Sequence, residues 1–292
     1  MVIKELPNPE GFDCGSSNDR NTVIWASSST AYNYPKHDTP YLFLANFKSA
    51  GNYLLNKQHV SISEHFFYFL NKGDNLEITF RGKEPIETVF IMFSPFLIDE
   101  VAACIYDSPA ALLENPKRVC TGKPLIPSIP FDYCEALTTK LKTLKHVGRF
   151  ESEDEFYYDF AESLLTQVAK ECKKANGLPA IRQSTREELF RRVMIGKAFM
   201  HDNFDRRLGV EEIAVTACLN KFHFIKIFKS ANGLTPHQYL TRIRLDKARQ
   251  LLLTGNCSVK DVSQSIGFES LASFTNLYKT HFGRVPSRER LI

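Results

Sequence analysis

The feature that most constrains the fold is an internal duplication near the C-terminus. The pattern Phe228-Lys229-x-x-x-Gly233-x-x-Pro236 returns, with every position shifted by 50 residues, as Tyr278-Lys279-x-x-x-Gly283-x-x-Pro286. A repeat of this length holds one compact supersecondary element per copy. The chain from Leu208 to Pro286 is therefore predicted to build the same local structure twice.

Each copy predicts two short helices joined by a tight turn, which is a helix-turn-helix. In the first copy, Ala217-Cys218-Leu219 forms the turn and Asn220 is a favourable N-cap for the second helix. In the second copy, Gly267-Phe268 forms the turn, and Ser258 and Ser270 cap the two helices. The residues predicted to face inward are Val210, Ile213, Ala214, Phe224, Ile227 and Phe228 in the first copy, and Val259, Val262, Ile266, Phe274, Leu277 and Tyr278 in the second.

A long helix is predicted between the two copies. Thr235-Pro236-His237-Gln238 is a capping box with proline at the first helical position, and Gly255 is the predicted stop. The roughly 18 residues from Pro236 to Leu253 span about 27 Å at a rise of about 1.5 Å per residue. A rod of that length can hold two recognition helices near the spacing of about 34 Å between successive major-groove faces of DNA. Its predicted stripe consists of Leu240, Ile243, Lys247, Ala248, Leu251 and Leu252.

These motifs together resemble the DNA-binding domain of the AraC/XylS family of bacterial transcription regulators. The second copy opens its recognition helix with Gly267-Phe268-Glu269-Ser270 and closes it with Phe282-Gly283-x-x-Pro286. The resemblance covers about residues 186 to 290. It implies that double-stranded DNA is a partner, that an activator of this type also contacts RNA polymerase, and that the N-terminal half binds a small-molecule effector or forms a homodimer.

The charge distribution agrees with a DNA-binding C-terminal domain. Residues 181 to 292 contain 19 Lys and Arg against 10 Asp and Glu, whereas the remainder contains 18 against 23. A basic module attached to an acidic one is typical of a protein that binds a polyanion through one part of its chain. Charge alone would fit ordinary solvated helices, and the duplication decides between the two interpretations.

The family motif implies which side chains face DNA. Lysine can contact guanine or phosphate, Phe222 and Ile225 can contact thymine methyl groups, and Asn276 can pair with adenine. Asn276 stands where the family often has a basic residue, and for Phe222 and Leu271 packing against a neighbouring helix is the alternative. The candidate DNA-binding residues are Lys221, Phe222, Ile225, Lys226 and Lys229 in the first copy, and Ser270, Leu271, Ala272, Thr275, Asn276 and Lys279 in the second.

The region from Asn21 to about Glu100 predicts β-structure, because short aromatic and branched runs alternate with turn residues. Such spacing is typical of a sandwich or small barrel, and the family resemblance implies a cupin-like barrel. The aromatic run Phe66-Phe67-Tyr68-Phe69 is interpreted as core. The predicted strands are Tyr41 to Phe47, Val60 to Ile62, His65 to Leu70, Leu76 to Phe80 and Glu87 to Ser94, with a turn at Arg81 to Pro85.

Helices are predicted after Pro95, and they are expected to pack on the barrel. The segments are Leu97 to Cys104, Asp132 to Lys145, a helix after the capping box Ser152-x-x-Glu155, and Glu187 to Met200, with a loop from Ser108 to Pro130. The resulting fold class is α+β with two domains. Residues 1–172 form the domain for effector binding or dimerisation, with a β-region at about 20–100 and helices at about 130–172. A linker at 173–184 leads to the DNA-binding domain at 185–292, which contains helix-turn-helix units at about 209–230 and 257–280.

Two enzymatic alternatives fit the residues poorly. A cupin-type metal site needs two histidines one residue apart, and His37, His59, His65 and His146 are not so placed. A DNA-repair methyltransferase would need a cysteine cluster, whereas the seven cysteines are scattered. The chain is therefore expected to be a regulator without catalytic activity, metal or cofactor, and the remaining alternative is that the N-terminal half is only a dimerisation scaffold of a constitutive regulator.

The sequence also predicts where in the cell the protein is found. No run of 18 apolar residues occurs, and Met1 to Phe12 lacks the basic and apolar segments of a secretion signal. A cytoplasmic protein that does not enter membranes is expected. The residues do not identify an effector, an operator or the sign of regulation, although the family resemblance favours an activator.

Overall fold

The structure, a computed structural model, describes residues 2–8, 20–28, 31–81, 85–106, 126–147, 152–180, 182–254 and 257–289. The chain divides into two units, Met1–Lys173 and Lys174–Ile292. The first unit contains sheets and helices and the second is helical, so the α+β class with two domains is confirmed at that level. Most of the predicted loop at 108–130, the centre of the predicted turn at 81–85, and the predicted helix stop at Gly255 lie outside the described residues.

The strands of the first unit form two sheets. One sheet has the order β1-β2-β9-β4-β7-β10 and the other has the order β3-β8-β5-β6. In the described part of the chain no strand pairing closes these sheets into one barrel, so the arrangement is a sandwich. The strands are β1 (Val2–Ile3), β2 (Thr22–Ser28), β3 (Ala31–Asp38), β4 (Tyr41–Lys48), β5 (Gly51–Leu55), β6 (Gln58–Ile62), β7 (Phe66–Leu70), β8 (Asn75–Arg81), β9 (Ile86–Phe93) and β10 (Phe131–Asp132).

The larger sheet is buried on both faces, which explains its aromatic strands. On β4, Leu42 and Leu44 join the core between the two sheets. The intervening Phe43 points to the opposite face, where its ring centroid lies 5.2 Å from that of Phe160. Alternate residues of a strand face opposite sides, so a strand covered on both sides must be apolar throughout. This confirms the interpretation of Phe66 to Phe69 as core, because all four are buried.

The predicted strands all occur, with ends shifted by a residue or two, but β1, β2, β3, β5 and β10 were not individually predicted. Strand β3 contains Pro35 and a largely exposed polar sequence. It lies at the edge of the smaller sheet, where proline is tolerated because one side of the strand needs no hydrogen-bond donor. Alternation of apolar residues could not identify it.

Three helices of the first unit are described: α1 (Pro95–Tyr106), α2 (Glu135–Val147) and α3 (Glu153–Asn176). The Ser152 hydroxyl accepts a hydrogen bond from the Glu155 amide at 3.2 Å, which supports the predicted start of α3. Helix α3 packs on the larger sheet through Phe160, which also lies 6.2 Å from the ring of Phe93. The predicted packing of a helix against the sheet is confirmed here.

The second unit is built from α4 (Gln183–Asp202), α5 (Val210–Thr216), α6 (Lys221–Asn232), α7 (Pro236–Leu253), α8 (Val259–Ser265), α9 (Leu271–Phe282) and a 3₁₀ turn (Pro286–Arg288). Helix α4 starts four residues earlier than predicted. Its first turn is held by a hydrogen bond from Gln183 to Glu187 at 2.8 Å and one from Arg186 to the Ala180 carbonyl at 3.0 Å. No helix in the described part of the chain is both long and apolar enough to cross a membrane.

Each helix pair has its own core. Phe224, Ile227 and Phe228 of α6 are buried, as predicted. The second pair encloses Phe274 and Tyr278 against the C-terminal half of α7. The prediction for Leu277 was wrong: it is 40% exposed. Its counterpart in the first copy, Ile227, is 1% exposed, so the two copies differ in how this position is covered.

Gly267 in the second turn has a steric role beyond its backbone conformation. Its φ is +79°, and a Cβ built there would lie 2.9 Å from both the Asp205 carbonyl oxygen and Arg244 Nη2. Gly233 has a similar φ of +74° but no neighbouring atom within 4 Å of such a Cβ. A side chain at Gly233 would meet only the free-energy penalty of the left-handed backbone, whereas one at Gly267 would also meet the steric penalty of the close contact.

We expect Gly233→Ala to cost about 1 kcal/mol of unfolding free energy, since only the left-handed conformation is penalised. Gly267→Ala should cost about 2–4 kcal/mol, because overpacking adds to the same penalty. Denaturant unfolding of the full chain and both variants measures the difference. Equal losses for the two variants would show that the contact with Asp205 and Arg244 is unimportant.

Candidate nucleic-acid interface

Helix α6 is a well-capped recognition helix with an outward polar face. The Asn220 side chain accepts a hydrogen bond from the His223 amide at 2.9 Å, as predicted. At the other end, Gly233 is left-handed and its amide donates to the Lys229 carbonyl. With one face buried, the candidate residues Lys221, Phe222, Lys226 and Lys229 are exposed and Ile225 is half-buried.

Phe222 is the most unusual of these side chains. It is 81% exposed, so the alternative that it packs against a neighbouring helix is wrong. Its ring is therefore free of the helix core and lies beside the exposed lysines on the outward face of α6. Lys221, beside it, has Nζ 3.4 Å from a carboxylate oxygen of Glu211.

Helix α9 repeats this frame with a different surface. The Ser270 hydroxyl accepts from the Ser273 amide at 3.3 Å and so acts as the cap. Leu271 is 44% exposed, and Ala272, Asn276 and Lys279 are also exposed. Thr275 is half-buried, and its hydroxyl donates to the Leu271 carbonyl at 2.8 Å.

The two turns differ by one residue. Ala217 to Leu219 separate α5 from Asn220, whereas Ile266 to Glu269 separate α8 from Ser270. The offset between the copies is therefore 49 residues before the turn and 50 after it. The sequence pattern suggested a uniform offset because its signature lies after the turn. The additional residue is Glu269, whose carboxylate lies 3.6 Å from Nε of Arg207.

The first turn is braced by an arginine from α4. Arg192 donates from Nη1 to the carbonyl of Cys218, the turn residue with a φ of +52°. Glu188 holds this arginine by accepting from its Nε at 2.8 Å, and it also accepts two hydrogen bonds from Arg191. The hydrogen bonds from Arg191, followed by those from Arg192, lower the pKa of Glu188 to about 2.

The second turn is braced by an arginine from α7. Arg244 donates from Nε to the Phe204 carbonyl at 2.8 Å and from Nη2 to the Arg206 carbonyl at 2.7 Å. Its guanidinium carbon lies 5.8 Å from the centroid of the Phe268 ring. One side chain therefore joins the loop before the first helix pair to the turn of the second.

Sequence reasoning did not identify either arginine. For Arg244 a signal existed: Leu240, Arg244 and Ala248 follow at intervals of four, which places a cation on the buried stripe of α7. For Arg192 no comparable signal existed, because its partner is a backbone carbonyl 26 residues away.

The first unit contains a separate apolar cleft. About 400 Å³ of space, part of it open to solvent, lies between walls contributed by both sheets. Half-buried His37 lies at this cleft, with Nδ1 2.9 Å from the Pro35 carbonyl oxygen and its ring centroid 4.7 Å from that of Tyr34. The apolar walls include Ile24, Leu42, Leu76, Ile78, Phe90 and Met92.

Residues 213–291 match a family model described as a helix-turn-helix domain. The chain is also similar to several curated regulators over this region: 34% identity over 90 residues to a probable transcriptional regulator, LumQ, of Photobacterium leiognathi; 29% over 123 residues to the uncharacterized regulator YobQ of Bacillus subtilis; and 31% over 84 residues to the lactose operon transcription activator of Staphylococcus xylosus. The matches cover 31%, 42% and 29% of this chain.

Solved structures are also similar to this chain. An AraC-type transcriptional regulator of Chromobacterium violaceum is 28% identical, covering 34% of this chain and 88% of its own, with a TM-score of 0.32. The match to the family model and the similarity to the curated regulators show that residues 213–291 form an AraC-type helix-turn-helix domain. ToxT of Vibrio cholerae, solved with an unsaturated fatty acid, is 15% identical and matches 92% of this chain and 94% of its own, with a TM-score of 0.35.

The AraC-type domain accounts for only part of the relatives. The matched segments span 36%, 51% and 30% of the lengths of LumQ, YobQ and the lactose operon activator. The family resemblance of the duplicated helix-turn-helix is thus confirmed for the AraC-type domain. What the whole chain does is a separate question.

The ion pairs of Glu188 predict a pH dependence. Because its folded pKa is depressed, its contribution to stability is present above the unfolded pKa of about 4.3 and is lost as the pH falls through about 2. The side chain is 42% exposed, so we expect only about 0.5 kcal/mol. Glu188→Gln should lower the unfolding free energy by this amount at neutral pH, and the difference should shrink below pH of about 4.

Urea unfolding at several pH values measures this effect. The matched control is Glu187→Gln, which removes the same charge from the neighbouring position, where the partner is the neutral side chain of Gln183. A constant difference between the Glu188 variant and the parent chain at all pH values would contradict the expected linkage.

Proposed function

We propose that the chain is a sequence-specific DNA-binding transcription regulator. The observation that carries the proposal is the presence of two recognition helices, α6 and α9, in one AraC-type domain, both capped in the same way and both presenting exposed side chains at their N-terminal turns. A recognition helix uses these positions to reach base edges in the major groove. The relatives that share the domain are named as transcription regulators.

The long helix supports a two-site mode of binding. Helix α7 contains 18 residues, which corresponds to about 27 Å. We propose that it holds α6 and α9 so that they enter successive major grooves of one duplex. A single chain would then contact the bases of two adjacent segments of the duplex.

Charge and shape favour DNA over a protein partner for this surface. Lys221, Lys226 and Lys229 are exposed on α6, within a C-terminal segment that has 19 basic and 10 acidic residues. Lysines near the groove supply the electrostatic part of binding, and the apolar side chains between them can contact thymine methyl groups. We propose a non-enzymatic regulator that activates transcription, with RNA polymerase as the protein partner.

We expect Lys226→Ala to separate base reading from phosphate contact. If Lys226 reads a base, specific binding should weaken by about 1–3 kcal/mol; if it contacts only phosphate, the slope of log affinity against log salt should fall by about one. The measurement is fluorescence anisotropy of a labelled duplex selected from a random library, repeated over a salt series.

The charge-matched control is Lys36→Ala, which removes an exposed lysine from β3 in the other unit. This variant should bind as the parent chain does. If Lys226→Ala changes neither affinity nor salt slope, Lys226 does not belong to the interface.

We further propose that the cleft of the first unit holds an apolar small-molecule effector. Its walls are mainly aliphatic and aromatic, and sites for small molecules are lined predominantly by such side chains with a few polar groups among them. His37, Tyr32 and Tyr34 are the side chains with polar atoms that line the cleft. The cupin-like assignment of this unit, homodimer formation and a cytoplasmic location stay predictions.

The uncharged fluorophore N-phenyl-1-naphthylamine tests the cleft. We expect saturable binding to the full chain and about tenfold weaker binding to Ile78→Phe, because the larger ring occupies the space. The control is Phe96→Ala, which removes a side chain that is 68% exposed elsewhere in the same unit. If binding is lost in the Phe96 variant and kept in the Ile78 variant, the fluorophore binds the surface and not the cleft.

A further inference from the structure

We infer that the two recognition helices read boxes of different base composition: α6 reads a box that requires guanine, and α9 reads a box of A·T pairs. The inference rests on the proposed function. It concerns the bases under each helix, which we name the α6 box and the α9 box. It comes from comparing the two copies of the duplication at equivalent positions.

The frames of the two helices are alike. Both have 12 residues, a capped start, and a left-handed glycine after the last turn, with φ of +74° at Gly233 and at Gly283. Buried Phe224 and Phe228 of α6 correspond to buried Phe274 and Tyr278 of α9. Because the frames match, residues 50 positions apart present their side chains in equivalent directions.

The outward chemistry differs at the positions that would meet base edges. Lys221, His223 and Lys226 of α6 are replaced in α9 by leucine, serine and asparagine. Guanine is recognised in the major groove by cationic donors to O6 and N7. In its first two turns α9 has no Lys, Arg or His, and its basic residues Lys279 and His281 lie in the last turn. Guanine recognition therefore belongs to α6.

The N-terminal turns of α9 present methyl groups. Leu271 and Ala272 are exposed apolar side chains. Thr275 donates its hydroxyl hydrogen to the Leu271 carbonyl, so for other contacts it offers its methyl group and a hydroxyl oxygen that can only accept. Apolar groups in the major groove recognise the C5-methyl group of thymine, which G·C pairs lack.

A further outward residue of α9, Asn276, can select the complementary base. Asn276 is exposed, and an asparagine amide can donate to N7 and accept from N6 of adenine in a bidentate pair. The acidic residue of this region, Glu269, precedes the cap Ser270 and so lies outside α9, with its carboxylate 3.6 Å from Nε of Arg207. Thymine methyl contacts and an adenine amide contact together define a box of A·T pairs.

The first test selects duplexes from a random library with the full chain and then repeats the selection with two exchange variants. Asn276→Lys places the cation of α6 on α9, and Lys226→Asn does the reverse at the equivalent position. Both side chains are exposed, so folding should be preserved. We expect Asn276→Lys to introduce a guanine into one box, which identifies it as the α9 box, and Lys226→Asn to remove the guanine requirement from the other.

The second test changes single atoms in the selected duplex. Replacing thymine by uracil in the α9 box removes only the methyl group and should weaken binding about fourfold for each contacted base. Replacing guanine by 7-deazaguanine in the α6 box removes N7 and should weaken binding about tenfold or more.

Three results would be decisive. A guanine or cytosine required by the parent chain in the α9 box would overturn the inference, and so would uracil that binds as well as thymine there. If the parent chain enriches no sequence at all, the proposed function fails, which is a different outcome from a selected operator with the wrong base composition.

Discussion

The DNA-binding domain depends on the guanidinium group of Arg244. Its hydrogen bonds to the carbonyls of Phe204 and Arg206, and its position over the ring of Phe268, connect the loop before the first helix pair, the long helix and the turn of the second pair. Gly267 lies close enough that any side chain there would overlap this contact. The guanidinium group donates to both carbonyls, so donor and acceptors are all paired. Removing it would leave both carbonyl oxygens without this hydrogen-bond donor, which lowers the stability of the domain. The two copies are thus joined by a specific polar contact as well as by the rod.

The two copies of the helix-turn-helix share their caps, buried residues and glycines, but they differ in their outward side chains. N-caps, buried aromatic residues and left-handed glycines recur in both copies because each is needed to form a short helix pair with its own core. Outward positions carry no such constraint, so lysine in one copy can become leucine or asparagine in the other. Leu277 also differs from its counterpart: Ile227 is buried in the first copy, whereas Leu277 is 40% exposed. Residues at equivalent positions of the two copies therefore have the same place on their helices but can differ in solvent exposure.

Helix caps and the inward faces of helices could be predicted from the sequence, because both depend on residues that are close together along the chain. The caps at Asn220, Ser258 and Ser270, the capping box at Thr235 and the inward faces of α6 and α9 follow from residue spacing, with Leu277 as the exception. Strand β3 could not be predicted, because an edge strand with Pro35 lacks apolar alternation. Buried cations were also missed. Lys197, which is 4% exposed and lies 5.3 Å from the Tyr239 ring centroid, depends on a partner 42 positions away. The exposure of candidate residues such as Phe222 required the tertiary structure.

An apolar cleft by itself does not make the chain a switch. A ligand that binds only the folded first unit would raise its stability by mass action, whatever happens at the DNA. Regulation requires that the ligand bind more tightly to one of two states that differ in DNA affinity, and the coupling must then be reciprocal. Since the cleft offers mainly apolar surface, the discriminating free energy must come from burial of the ligand rather than from a directed polar contact. A ligand that fits both states equally well would therefore occupy the cleft without changing DNA binding.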